Sequence, residues 1–260
     1  MLRSFRKSRQ APQGAKGYRA YVVGDVHGRL DLLDDLLERI ERELVERPAR
    51  KIVLAFVGDL IDRGPASAQV IERLRTYRRA GVQTLFLLGN HEEVMLRILD
   101  GETALIDSWL TFGGAQCLQS YGLDPKPLQS MPEEEALALI REAIPDSHVR
   151  FLKSFHDTFR FGDYLMVHAG IRPGIEIEQQ RQSDLRWIRE PFLLNDQDHG
   201  FIVVHGHTIS DAVDERENRI GIDTGAYATG RLTALAIDGP ERWYLDTISP
   251  PFRSKTTGNP

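Results

Sequence analysis

Three apolar runs each end in a glycine followed by a residue able to hold a metal ion or a proton, and this recurrence constrains the fold more than any other feature of the chain. Ile52-Val53-Leu54-Ala55-Phe56 leads into Val57-Gly58-Asp59-Leu60-Ile61-Asp62-Arg63-Gly64. Upstream, Tyr21-Val22-Val23 leads into Gly24-Asp25-Val26-His27-Gly28; downstream, Thr84-Leu85-Phe86-Leu87-Leu88 leads into Gly89-Asn90-His91-Glu92. Each run reads as a buried β-strand, and the glycines let the chain turn sharply. Carboxylates in such turns would be costly in a core and fit the mouth of a sheet, where α/β proteins place their sites. One such turn alone would be no more than a polar strand-to-helix connection. Three of them, at gaps that each suit one βαβ unit, gather Asp25, Asp59 and Asn90 on one edge of a parallel sheet. Two later runs deliver histidines in the same way: Leu165-Met166-Val167 into His168-Ala169-Gly170, and Phe201-Ile202-Val203-Val204 into His205-Gly206-His207-Thr208.

Between the first runs, apolar spacing near 3.6 predicts helices over Arg29–Val45 and Ala66–Arg79, and a third beginning at Glu92. From Gly101 to Ser154 the strand-helix rhythm stops, and this stretch reads as a mostly helical insertion beside the site. Trp109, Phe112 and Tyr121 sit there around Gly113-Gly114, followed by an acidic helix around Glu133-Glu134-Glu135. From Asp157 onward the chain turns to strands. The expected class is α/β: two packed mixed sheets with outer helices, a four-layer α/β/β/α sandwich. One domain is expected over residues 18–248, with the insertion at about 101–154. A basic disordered tail over 1–17 and a flexible tail over 249–260 complete the expected organisation.

Composition excludes several classes. Hydrophobic residues are 41% and charged residues 27%, ordinary for a soluble globular protein. A net charge of −5 gives no whole-protein pull toward nucleic acid or anionic membrane. No run is long and apolar enough to span a bilayer, and the N-terminus lacks the apolar core of a secretory signal. A transit peptide shares its composition; a tail is the reading adopted. The lone Cys117 cannot form an internal disulfide, which points to a reducing, cytoplasmic compartment; a packing role is expected for it.

Asp25, His27, Asp59, Asn90, His168 and His207 supply oxygen and imidazole donors without a thiolate, a set that suits Mn, Fe or Zn. One carboxylate bridging two ions explains the central place of Asp59, and a metal pair can clamp a phosphoryl group and generate a hydroxide nucleophile. Asn90, a neutral amide, keeps the site positive toward an anionic substrate. Of the eight histidines, four fall in these motifs, while His148, His156 and His199 read as ordinary residues. Trp109, Trp187 and Trp243 read as core or interface aromatics.

GDVHG, GDLIDRG, GNHE, HAG and HGHT, in this order, resemble the calcineurin-like metallophosphoesterases, and among them the bacterial PPP-type serine/threonine protein phosphatases. Symmetrical dinucleoside tetraphosphate hydrolases share the motifs. The resemblance spans about Tyr21 to Ala236 and is specific only because five weak motifs occur together. It implies the metallophosphoesterase fold and two divalent ions, Mn²⁺ first, with Fe or Zn as options. Asp25 and His27 would bind one ion, Asn90, His168 and His207 the other, and Asp59 would bridge. His91 would be the general acid, Asp62 would orient its imidazole, and Arg63 would hold phosphate oxygens.

A second phosphate-gripping arginine is expected in such a site. Arg189 is the best match, Arg186 its competitor, and Trp187 has a claim to orient Arg189. His205 could line the site or pack behind it, and Asp223 could brace it. The implied activity is phosphomonoester hydrolysis on phosphoserine or phosphothreonine proteins by attack of a metal-bridging hydroxide. The alternative is symmetrical bis(5'-nucleosyl)-tetraphosphate hydrolysis, and a non-catalytic metal-binding regulator is the third reading. Substrate choice is expected to reside in the insertion and in residues 170–182, where Arg172 and Arg181 could meet extra phosphates. A phosphorylated protein or small phosphoester is the expected partner, with no nucleic acid and no membrane.

Overall fold

The computed structural model describes residues 11–49 and 51–248. Most of the expected N-terminal tail and all of the C-terminal one lie outside these residues. From Ala11 on, the chain is tied down: the Gln13 N–H donates to Asp163 and the Gly14 N–H to the Gly239 carbonyl.

The first sheet is built from β1 (Arg19–Val23), β2 (Ile52–Phe56), β3 (Val82–Phe86), β9 (Thr233–Asp238) and β10 (Glu241–Asp246), in the order β10-β9-β1-β2-β3. β1, β2 and β3 are parallel, as the three-turn argument requires, while β9 lies antiparallel to both its neighbours, β1 and β10. The second sheet contains β4 (Thr158–Phe161), β5 (Tyr164–Val167), β6 (Ile202–His205), β7 (Asp214–Glu215) and β8 (Arg219–Gly221), in the order β4-β5-β6-β8-β7. Its central three strands are parallel and its edges antiparallel. Both sheets are therefore mixed.

Side-chain alternation along the strands sorts the core into layers. Ala20 and Val22 of β1 face the second sheet, where they join Val53, Ala55, Met166, Val204 and Ile220. Tyr21 and Val23 face the other way, into a helical layer. That layer holds α1 (Leu30–Glu46), α2 (Ser67–Arg75) and α3 (Asn90–Leu99). The insertion adds α4 (Ile106–Trp109), a kinked stretch over Leu110–Gly114, α5 (Ala115–Ser120), α6 (Glu133–Ala143) and α7 (Asp146–Leu152), whose apolar side chains join the same core. On the far side, Leu165, Val167 and Val203 pack against Leu185, Ile188 and Phe192. These last come from or flank α8 (Gln182–Trp187) and α9 (Glu190–Leu193). The result is the four-layer α/β/β/α sandwich. A further short helix, α10 (Ala226–Thr229), follows β8. Among the described residues no helix is long and apolar enough to cross a membrane.

α3 starts at Asn90 rather than Glu92. Asn90 and His91 thus sit in the first turn of a helix, which fixes both side chains at the sheet edge. α1 presents Leu33, Leu36, Leu37, Ile40 and Leu44 to the core and leaves Val45 exposed. Leu36→Ala is expected to lower unfolding free energy by about 2–5 kcal/mol through lost burial and a residual cavity. Val45→Ala should move it by about 0.5 kcal/mol or less. Denaturant titration of both variants checks this.

Candidate active site

The C-terminal ends of β1, β2 and β3 and the ends of β5 and β6 meet at the Asp59 carboxylate. Asp59 Oδ1 accepts the His91 backbone N–H at 3.1 Å. Its Oδ2 lies 3.5 Å from His168 Nε2, 3.7 Å from His27 Nε2 and 4.0 Å from His91 Nε2. Asn90 Oδ1 is 2.9 Å from His168 Nε2 and 2.9 Å from His207 Nδ1. All of these side chains are buried.

Two donor sets have ligand atoms within 4.8 Å of one another: His27, Asp59 and His91, and Asp59, His168 and His207. Asp59 belongs to both. Donors on one small divalent ion sit at about 2.0–2.2 Å from it, so these spacings suit a cation between them.

Three further observations fit a cation. His27 Nδ1 lies 2.8 Å from the Ile61 carbonyl, and His168 Nδ1 lies 2.8 Å from that of Val57. A carbonyl only accepts, so Nδ1 carries the proton and Nε2 turns a lone pair inward, the usual arrangement of a ligating histidine. Burial holds His27 and His207 down to about 3 and His168 below its ordinary value, which keeps the rings neutral. Asp25 Oδ2 accepts the His207 N–H at 3.0 Å, while its buried Oδ1 has no hydrogen-bond partner among the described residues.

The backbone is strained where the site is built. Among the described residues, five non-glycine residues have positive φ: His27, Asp59, Asp62, Arg63 and His207. Each costs about 1–3 kcal/mol and persists only where the surroundings over-determine it. Glycine permits the close approaches. A Cβ on Gly58 would lie 2.6 Å from Gly89 N and 2.8 Å from His168 Nδ1; one on Gly89 would lie 2.2 Å from Asp59 Oδ1.

His91 Nδ1 is 2.7 Å from Asp62 Oδ2. Burial pulls the His91 imidazole down, but the charges of Asp59 and Asp62 outweigh it and leave it raised to about 9. Arg63 Nη2 lies 3.2 Å from His91 Nε2, and its guanidinium lies 4.7 Å over the Tyr227 ring. Tyr227 also meets His27 edge to face at 5.4 Å.

The two candidate arginines differ. Arg186 is buried and held by Asp157 at 2.6 Å and Glu93 at 3.3 Å. Arg189 is exposed, has no carboxylate partner among the described residues, and its charge bears on His207. The Trp187 Nε1–H donates to Glu93 Oε2 at 2.8 Å. Arg172 is held by Asp184 at 2.6 Å. His205 packs behind the site: it is buried, edge to face with Phe192 at 5.1 Å. Asp223 is buried beside Asp25 and accepts the Gly225 N–H at 2.9 Å. Burial pushes its carboxyl up to about 6.

Sequence reasoning passed over two residues. Trp109 Nε1–H donates to Asp62 Oδ2 at 2.9 Å, the same oxygen that His91 uses. A Cβ on Gly114 would lie 2.4 Å from the Trp109 ring, so this glycine makes room for it. Glu92, the third residue of α3, accepts N–H groups from Gly89 (3.0 Å), Asp59 (2.9 Å), Leu60 (2.7 Å) and Ile61 (3.2 Å). Its reach back to the helix start is a capping interaction, and a Glu three places after a strand-end glycine was the available signal. Burial and then the Asp59 charge push its carboxyl up to about 8. Four donors favour the ionised form, and a cation beside Asp59 would remove the opposing charge.

With this geometry in view, the comparisons with known proteins are decisive for the family. The profile of the calcineurin-like phosphoesterases matches residues 18–234. The chain belongs to that family. Metal-dependent phosphoesterase hydrolysis is accordingly its chemistry. Among its relatives is the asymmetrical bis(5'-nucleosyl)-tetraphosphatase PrpE of Bacillus thuringiensis (strain Al Hakam), 27% identical over 249 residues, covering 88% of this chain and 93% of that protein. Its counterpart in Halalkalibacterium halodurans is 27% identical over 251 residues, covering 89% and 93%. In fold, the chain resembles a candidate diadenosine tetraphosphatase (TM-score 0.61, 21% identity, 89% of this chain and 94% of that one). It also resembles a cold-active protein-tyrosine phosphatase of a psychrophilic Shewanella species (TM-score 0.54, 17% identity, 92% and 85%).

Glu92→Gln is expected to destabilise the chain by about 3 kcal/mol, because an amide sets its own N–H groups against backbone donors and leaves some of them unmatched. A lowered denaturation midpoint checks this; an unchanged midpoint would show that the carboxylate does not hold the two strand ends together.

Proposed function

We propose that the chain is a dimetal hydrolase of dinucleoside tetraphosphates. The observation that carries the dimetal part is the sharing of one buried carboxylate, Asp59, by two donor sets; the first of these contains His91, in whose place Asp25, with its unpartnered Oδ1, is proposed as the ligand. Asp25, His27 and Asp59 would hold one divalent ion, and Asp59, Asn90, His168 and His207 the other. Mn²⁺, Fe and Zn all suit these donors. When bound, such ions neutralise phosphoryl charge and make water acidic enough to attack at neutral pH. The substrate part is supported by the relatives named as bis(5'-nucleosyl)-tetraphosphatases across nearly the whole chain.

The chain's own residues act on the leaving group and on orientation. His91, hydrogen-bonded to Asp62, is placed to give its proton to the departing oxygen. Asp62 fixes the imidazole, and Trp109 fixes Asp62. Arg63 and Arg189 grip the non-bridging oxygens, as phosphoryl transfer requires of its positioning groups. The same machinery also suits a phosphomonoester. The GDLIDRG and GNHE motifs, which resemble those of PPP-type protein phosphatases, keep phosphoserine or phosphothreonine proteins as the second reading.

Turnover of diadenosine tetraphosphate against a phosphopeptide, with products separated by chromatography, decides between them. The expected result is faster cleavage of the nucleotide, with mono- and triphosphate formed rather than two diphosphates. Faster cleavage of the phosphopeptide would establish the second reading. In either case His91→Asn should reduce turnover by about 10²–10⁴-fold, and full activity in that variant would remove the acid assignment.

A further inference from the structure

Trp187 ends α8 and stands against the imidazole cluster from outside. Its ring centroid is 6.5 Å from that of His207, edge to face. It is 43% exposed, whereas the other tryptophan near the site, Trp109, is 2% exposed. The indole is also pinned. Its Nε1–H donates to Glu93 Oε2 at 2.8 Å, Arg186 lies 3.3 Å from the same carboxylate, and Asp157 holds Arg186 at 2.6 Å. Leaving that much indole in water forfeits hydrophobic stabilisation, and fixing the ring by its polar edge keeps it from closing onto the protein surface. A rigid, half-exposed indole beside a phosphoryl-transfer centre has the properties of a stacking surface, because any nucleobase offers it a π-face.

We propose that Trp187 is the nucleobase platform of this site, stacking the base of the nucleoside whose own phosphate is cleaved. This inference rests on the dinucleoside tetraphosphate reading and adds to it where the base sits. Arg189, two residues further on, is exposed, lacks a carboxylate partner among the described residues, and bears on the same His207. One short stretch thus offers an indole for the base and a guanidinium for the phosphates.

In the proposed pose the base and the first phosphorus are one ribose apart, and the ribose-bearing phosphorus is the one attacked. The water oxygen bonds to that phosphorus and gives a proton to solvent. The bond from phosphorus to the bridging oxygen breaks, and its electron pair leaves with the triphosphate. His91 supplies the proton that this oxygen takes. The products are a nucleoside monophosphate and a nucleoside triphosphate.

The test compares inhibition constants of adenosine monophosphate and of inorganic phosphate in the metal-loaded native enzyme, Trp187→Ala and Trp187→Phe, with diadenosine tetraphosphate as substrate. Stacking predicts that Trp187→Ala raises the KM for the dinucleotide and the inhibition constant of adenosine monophosphate by about tenfold. It also predicts that the constant for inorganic phosphate stays put and that Trp187→Phe recovers most of the loss. Equal weakening of both inhibitors would mark a merely structural tryptophan and overturn the proposal, as would an unchanged constant for adenosine monophosphate.

A measurement on folded protein stands beside this. Adenosine monophosphate should quench tryptophan emission in the native chain and not in Trp187→Phe; quenching that persists in the variant overturns the platform. Native enzyme that cleaves a phosphopeptide but not diadenosine tetraphosphate would defeat the substrate reading itself, an outcome separate from failure of the platform alone.

Discussion

A charged carboxylate buried among imidazoles is the constraint on which the rest of this molecule depends. Asp59 is 2% exposed, and an ionised carboxylate in such a place is costly unless paired or bound to a cation. The chain accepts positive φ at Asp59 and at four neighbours to place it. It packs glycine against glycine at Gly58 and Gly89 to let β2 and β3 deliver their turns side by side. It then stitches those turns with Glu92, whose carboxylate takes four backbone N–H groups from two strand ends. The two-sheet core supplies the rigidity that makes these local costs tolerable.

The insertion is joined to this chemistry rather than merely covering it. Trp109 reaches Asp62, and the Arg63 N–H donates to the Gly113 carbonyl at 3.1 Å. Gly113 has φ near +117° at a kink between two helices, and a Cβ there would lie 2.6 Å from Arg63 N. The kink meets Arg63, which like Asp62 has positive φ, while the Ser67 hydroxyl accepts the Asp62 N–H at 3.0 Å. A substitution in the insertion can therefore reach catalysis without touching substrate.

How much of this was legible in the sequence follows from whether a signal is local. Strand-then-glycine turns are local, so the parallel β1-β2-β3 core and the convergence of Asp25, His27, Asp59, Asn90, His168 and His207 could be read from spacing and motif. The two-residue β7 carries too little pattern to be seen. The role of Glu92 depends on amides about thirty residues away, and that of Trp109 on a carboxylate 47 residues away; nothing in their neighbours states it. Choosing between Arg186 and Arg189 needed Asp157 and Glu93, which only the fold brings to Arg186. Trp187, read from the sequence as an aromatic with a claim to orient Arg189, gains a second meaning from its distance to His207.

The central claim is that Asp59 is shared by two metal ions. Metal content per chain, measured by mass spectrometry after reconstitution with Mn²⁺ and removal of excess, tests it most directly in native protein and Asp59→Asn. The account predicts two ions per native chain and fewer than one in the variant, because losing the shared ligand weakens both positions. Two ions retained by a folded Asp59→Asn variant, or a single ion in the native chain, would contradict it.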